Sequence, residues 1–104
     1  MLYIINAWDK PGTADLVART LEAHQQYLHE SEHLLVLAGG MRSEDGKDRL
    51  GSVYLVNTPS RKAAEDWLAA EPFYKAGIFK TTTLEKMRKA HWHPENAPKT
   101  VDGA

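Results

Sequence analysis

The chain has 104 residues, a length that fits one domain, and 42% hydrophobic with 26% charged residues is the balance of a soluble globular protein rather than a collagenous or disordered one. Thirteen Lys and Arg against fourteen Asp and Glu leave a net charge of −1, with no cationic surplus to hold nucleic acid or an anionic membrane. No cysteine is present, which excludes disulfides, thiolate nucleophiles and cysteine-ligated zinc or iron–sulfur centres.

Residues 2–8 read as a strand, with Tyr3, Ile4 and Ile5 at its centre. No charged leader precedes it, and Asp9, Lys10 and Pro11 follow at once, unlike a secretory signal. The longest apolar run, residues 34–38, is far too short to span a bilayer, so a cytoplasmic protein is expected. Lys10, Pro11, Gly12 and Thr13 form a breaker cluster. From Thr13 to about Glu30 the pattern is helical, with Ala14, Val17, Leu21, His24 and Leu28 on one face and the Thr13 hydroxyl placed to cap. Residues 34–38 form a second strand, closed by Gly39 and Gly40. A polar loop, 43–47, turns at Asp45-Gly46 and leads to a third strand, 51–57, which makes a hairpin with the second. Pro59 and Ser60 open a second helix, with Ser60 as N-cap and Ala63, Ala64, Trp67 and Leu68 as its apolar stripe. Glu71, Pro72, Phe73 and Tyr74 break it, because a residue before proline avoids helical geometry. Threonine-rich residues 77–84 supply a fourth strand. The domain thus spans 1–89, and residues 90–104 form a tail that Trp92 is placed to dock.

The order β-α-β-β-α-β is the ferredoxin-like α+β arrangement: a four-stranded antiparallel sheet with both helices on one face. Alternation puts Tyr3, Ile5 and Ala7 on one face of the first strand, with Leu2, Ile4 and Trp8 on the other. The third strand splits likewise, into Val53 and Leu55 against Tyr54 and Val56. Two helices cover one face only, so the second apolar face calls for another cover. The same face of a second subunit is the simplest, which predicts a homodimer; the strand edges and the tail are the alternative.

His24 stands on an apolar stripe where Leu or Val would be expected. There an imidazole must be hydrogen-bonded, as a structural group or as a general acid or base. It is read here as serving a pocket, so leucine in its place should leave stability unchanged or higher. If it is structural, the replacement should cost about 1–3 kcal/mol. His29-Glu30-Ser31-Glu32-His33 matches the H-E-x-x-H zinc signature, but it straddles a helix end, so its two histidines are not expected to share a face. Val36 also stands where the extended metalloprotease motif requires glycine, and no zinc site is expected. His91 and His93 are two potential ligands in a tail, too few for a specific metal site. Trp8, Trp67 and Trp92 read as core or docking residues. No glycine-rich phosphate loop is present: Gly39-Gly40 lacks the spacing and the following lysine.

The chain also carries Arg19-x4-His24-x2-Tyr27-Leu28, Ala38-Gly39-Gly40, Asp45-Gly46, Gly51-Ser52, Ser60-x2-Ala63 and Glu71-Pro72-Phe73-x2-Ala76-Gly77-x-Phe79. In this order and spacing they resemble the YCII-related (YciI-like) family over about residues 1–84. The resemblance implies ferredoxin-like subunits that pair into a dimeric α/β barrel. It also implies a site joining the helix-one histidine to the aspartate of an Asp-Pro-Phe motif, with a serine at the start of the second helix nearby. Carried over, these are His24, Glu71 and Ser60; Glu71 departs from the family by one methylene, which alters its reach. A relative performs a lyase-type dehydrochlorination of a muconate-like acid. The resemblance therefore implies a small organic ligand, carboxylate- or carbonyl-bearing, beside His24. In such a site His24 would move a proton, Glu71 orient it and Ser60 bond the substrate, as in a lyase or isomerase needing no cofactor or metal. The other reading is a non-catalytic ligand-binding or regulatory module on the same dimeric fold.

Overall fold

The computed structural model describes residues 1–103. In chain order it contains β1 (Leu2–Asp9), α1 (Ala14–Glu30), β2 (Leu35–Arg42), β3 (Arg49–Asn57), α2 (Arg61–Ala70), α3 (Pro72–Lys75) and β4 (Phe79–Met87). A single 3₁₀ turn, Pro94–Asn96, follows. The sheet order is β2-β3-β1-β4, and every neighbouring pair is antiparallel. This is the ferredoxin-like α+β fold expected from the element order.

Strand alternation sorts the two faces as expected. Tyr3, Ile5 and Ala7 of β1 sit beside Val56, Tyr54 and Ser52 of β3, and all six are buried. Ala64, Trp67 and Leu68 of α2 close over this face with Leu84 of β4. The indole N–H of Trp67 donates to Ser31 Oγ (2.9 Å), Ser31 donates to the Tyr27 carbonyl (2.7 Å), and the Tyr27 hydroxyl donates to the Trp67 carbonyl (2.8 Å). This ring of bonds satisfies the polar groups that aromatic residues bring into a core and ties the end of α1 to α2. Helix α1 has no fully buried residue. Its inward stripe is Val17, Thr20, His24, Tyr27 and Leu28, with Leu21 42% exposed. Thr20 takes the place expected for Leu21 because its hydroxyl is satisfied by the Leu16 carbonyl (2.7 Å).

Several element ends differ from expectation, each for a local reason. Thr13 does not cap α1 with its side chain; its hydroxyl turns back to the Lys10 carbonyl (2.8 Å). Gly39 and Gly40 do not end β2 but continue it, paired with Val53 and Ser52. Both keep ordinary backbone angles, and the ladder to β3 outweighs the weak strand preference of glycine. The β2 register shifts between Leu35 and Leu37, an irregularity in the edge strand. Strand β4 begins at Phe79, since Gly77 is held at φ 77° in the preceding turn, and runs on to Met87, which pairs with Leu2. The segment 71–74 does more than break α2: it forms the one-turn helix α3. Beyond Met87 no strand continues, and Trp92 lines a cleft with Leu2, Val36, Leu55 and Met87 on the sheet face away from the helices. Among the described residues no helix is long and apolar enough to cross a membrane.

Gly51 is buried where β1 and β3 approach closely, and a Cβ there would collide with the Ala7 carbonyl oxygen. Gly51→Ala is therefore expected to destabilise the fold by about 1–3 kcal/mol or more. Gly39→Ala, with open space at its Cβ and no positive φ, should change stability by less than about 1 kcal/mol. Denaturant melts of the two variants beside wild type check the contrast.

Candidate functional site

The sequence Glu71-Pro72-Phe73 builds the centre of the site. Pro72 cannot continue α2, because it has no N–H to donate, but its fixed φ suits the first position of a new helix. The backbone of Glu71 is extended there (φ −67°, ψ 129°), and its carboxylate caps α3 by accepting from the Phe73 amide (3.2 Å). This geometry turns the side chain inward, where Glu71 is 0% exposed. A carboxylate taken out of water is tolerated only with several donors. Glu71 has three: the Phe73 amide and His24 Nδ1 (2.6 Å) on Oε1, and the Tyr54 hydroxyl (3.0 Å) on Oε2. Burial, and then the charge of Glu71, raises the Tyr54 phenol far above its ordinary range, so it stays a neutral donor. The Tyr27 phenol is raised too, for the same two causes in the same order.

His24 reaches this carboxylate from the inward stripe of α1. Its ring stacks on Phe73, with centroids 3.8 Å apart and planes 4° from parallel, so its orientation is held by packing as well as by the hydrogen bond. An ionised carboxylate only accepts, so Glu71 selects the tautomer with the proton on Nδ1. Nε2 has no protein partner. Because no buried side-chain nitrogen or oxygen is left unpaired among the described residues, Nε2 reaches solvent-accessible space. A neutral imidazole so held offers a lone pair outward; once protonated, it offers an N–H there while Glu71 stabilises the cation.

Arg49, which the sequence analysis passed over, is the next residue out. Its guanidinium carbon lies 4.9 Å from the centroid of the Phe73 ring. Nε and Nη2 donate to the two Asp9 oxygens (2.9 and 3.3 Å), and Nη2 also donates to Ser52 Oγ (2.7 Å). Sequence alone gave little signal for this pair: the β1–β3 ladder ends at Trp8 and Gly51, and Asp9 and Arg49 meet just beyond it.

Ser60 is not brought to this centre within one chain. It caps the start of α2, accepting from the Ala63 amide (3.1 Å), while Glu71 follows the end of the same ten-residue helix, about 15 Å along its axis. In the H-E-x-x-H stretch, α1 ends at Glu30, so His33 lies beyond the helix. His29 instead pairs with Glu32 (2.9 Å) on the exposed surface. The rings of His91 and His93 are 6.4 Å apart. Among the described residues no group of three or more His, Asp or Glu could hold a metal ion.

The chain as a whole is similar to known proteins. The YCII-related domain matches residues 1–88. Protein YciI of Escherichia coli O6:H1 is 31% identical over 97 residues, covering 86% of this chain and 98% of that protein. Among solved structures, the 5-chloro-2-hydroxyhydroquinone dehydrochlorinase TftG of Burkholderia phenoliruptrix AC1100, in complex with 2,5-dihydroxybenzoquinone, is 27% identical with a TM-score of 0.78. That match covers 85% of this chain and 94% of the other. The crystal structure of an antibiotic biosynthesis monooxygenase, 19% identical with a TM-score of 0.55 over 88% of this chain and 100% of that one, shares the fold alone.

The buried Glu71 revises what leucine at position 24 would do. His24→Leu removes one of the three donors from a carboxylate with no exposure, so it is expected to cost about 1–3 kcal/mol or more at neutral pH. The double variant His24→Leu/Glu71→Gln should recover a substantial part of that loss. Denaturant melts arranged as a double-mutant cycle measure the coupling, and additive losses would contradict it.

Proposed function

This chain belongs to the YCII-related family, and from that premise we propose that it binds a small organic molecule beside His24 and moves a proton on it through Nε2. The observation that carries this reading is the 2.6 Å bond from Nδ1 to a carboxylate with no exposed surface, on a histidine whose other nitrogen is open. One nitrogen fixed, the other free and the cation stabilised from behind is the arrangement a general acid or base uses, and the same bond also holds α1 in place. Glu71 keeps the carboxylate of the family motif and orients the imidazole, and Tyr54 holds the second Glu71 oxygen in place. Lyase or isomerase chemistry suits such a pair. The dehydrochlorination named for the Burkholderia protein is of that class, on a hydroxylated ring rather than a muconate-like acid. The position of Ser60, at the far end of α2, favours the second reading, a binding module without turnover, wherever no other group takes the place of that hydroxyl.

The test begins with 2,5-dihydroxybenzoquinone as probe. Its addition should shift the His24 imidazole resonances in an NMR titration. Release of chloride from chlorinated hydroxyhydroquinones should fall roughly 10²–10⁴-fold in His24→Gln. Binding without chloride release in the wild type would favour the module. No response at His24 would remove both readings.

We further propose that the domain, residues 1–89, works as a homodimer paired through the sheet face away from the helices, with the tail at its margin. That face carries the half-buried Leu2, Ile4, Val53 and Leu55, together with Leu37 at 63% and Trp8 at 48% exposure, an apolar set of the kind that marks an interface. Light scattering over a dilution series should give twice the subunit mass at micromolar concentration, and Leu37→Asp should shift it toward the monomer.

A further inference from the structure

We infer that the cleft at the hairpin end of the sheet is an anion site, which receives the carboxylate of a small organic acid. The anion site does not rest on the proton-transfer reading above. The cleft, about 630 Å³, is lined among others by Lys10, Arg42, Lys47 and Arg49 against Asp9 and Asp48. A chain with a net charge of −1 thus gathers four cations around one concavity with only two carboxylates to balance them. One of those two is already engaged, since Asp9 is held by Nε and Nη2 of Arg49. Lys10, Arg42 and Lys47 make no ion pair among the described residues.

Arg49 is the inner wall of this site. Its Nη1 has no protein partner, and since no buried side-chain nitrogen is unpaired among the described residues, Nη1 is open. Gly40 keeps that approach clear: a Cβ there would stand 3.3 Å from Nη1. The Asp9 and Ser52 bonds hold the fork before any ligand arrives, which lowers the entropy lost on binding a carboxylate. Phe73, 1% exposed, packs against both the Arg49 guanidinium carbon (4.9 Å from its centroid) and the His24 ring (3.8 Å), and neither Phe73 nor His24 lines the cleft.

The test compares maleate, its uncharged diamide and inorganic phosphate by NMR titration at low ionic strength. Maleate should shift the backbone amides of Lys10, Arg42 and Arg49, and its affinity should fall by about tenfold or more in Arg42→Gln/Lys47→Gln. Those two side chains are exposed and unpaired, so the double variant keeps the fold. The diamide should bind weakly and alike to both proteins. Equal affinity for maleate and diamide, unchanged maleate affinity in the double variant, or phosphate binding as tightly as maleate would each overturn the carboxylate site. The His24 signal keeps the two sites apart: charge-dependent maleate binding that moves the cleft amides without His24 supports the anion site. A diamide that moves His24 without any preference for charge would overturn the anion site and leave the proton-transfer reading.

Discussion

A carboxylate with no exposed surface sets the terms for everything around it. Glu71 can stay inside only because donors from three different elements converge on its two oxygens: the imidazole of α1, the phenol of β3 and the first free amide of α3. Each of those elements is thereby positioned to within a hydrogen-bond length. Helix α1, which has no fully buried residue of its own, is the clearest case. Its hold on the domain comes from His24 on Glu71, from Tyr27 on the Trp67 carbonyl and from apolar contacts at the edge of the core, rather than from a deeply packed stripe. The same bonds that fix the helix leave one imidazole nitrogen facing outward, so the chemistry of the site is a by-product of how the helix is held.

The fold was legible in the sequence because its signals are local and periodic. Alternation in residues 2–8 and 51–57 sorted the two faces of the central strands, and Ser60 announced the start of α2 by a chemistry that needs no tertiary context. What failed was set by contacts outside each local motif. Gly39 and Gly40 look like a strand end until β3 lies beside them, and Thr13 looks like a cap until the Lys10 carbonyl competes for its hydroxyl. The extra residues of β4 were hidden because their reason to be extended is the first residue of β1.

The candidate site was legible in part. His24 stood out as a polar residue on an apolar stripe, and the resemblance supplied its partner in Glu71. The longer side chain raised a question of reach, which the extended backbone before Pro72 resolves by turning the carboxylate inward. Ser60 was drawn in by the same resemblance, but within one chain its hydroxyl is occupied at the opposite end of a helix. Arg49 was missed because no motif contains it. Its place depends on where β1 and β3 lie side by side, and it falls just past the end of their ladder, outside the third strand read from the sequence.

The sheet order also bears on how the chain acquires its shape during synthesis. Strand β1 is made first, yet it is central, and both its neighbours, β3 and β4, come from the second half of the chain. No ladder can form on β1 until residues 49–57 have emerged, and its other edge stays open until residue 87. Such separations make ordering slow, because long loops must close before any contact rewards them. On the ribosome the Tyr3-Ile4-Ile5 segment therefore waits, exposed, for nearly the whole domain to be translated. A nascent chain of this kind is vulnerable to aggregation, and prone to capture by chaperones, at its first few residues.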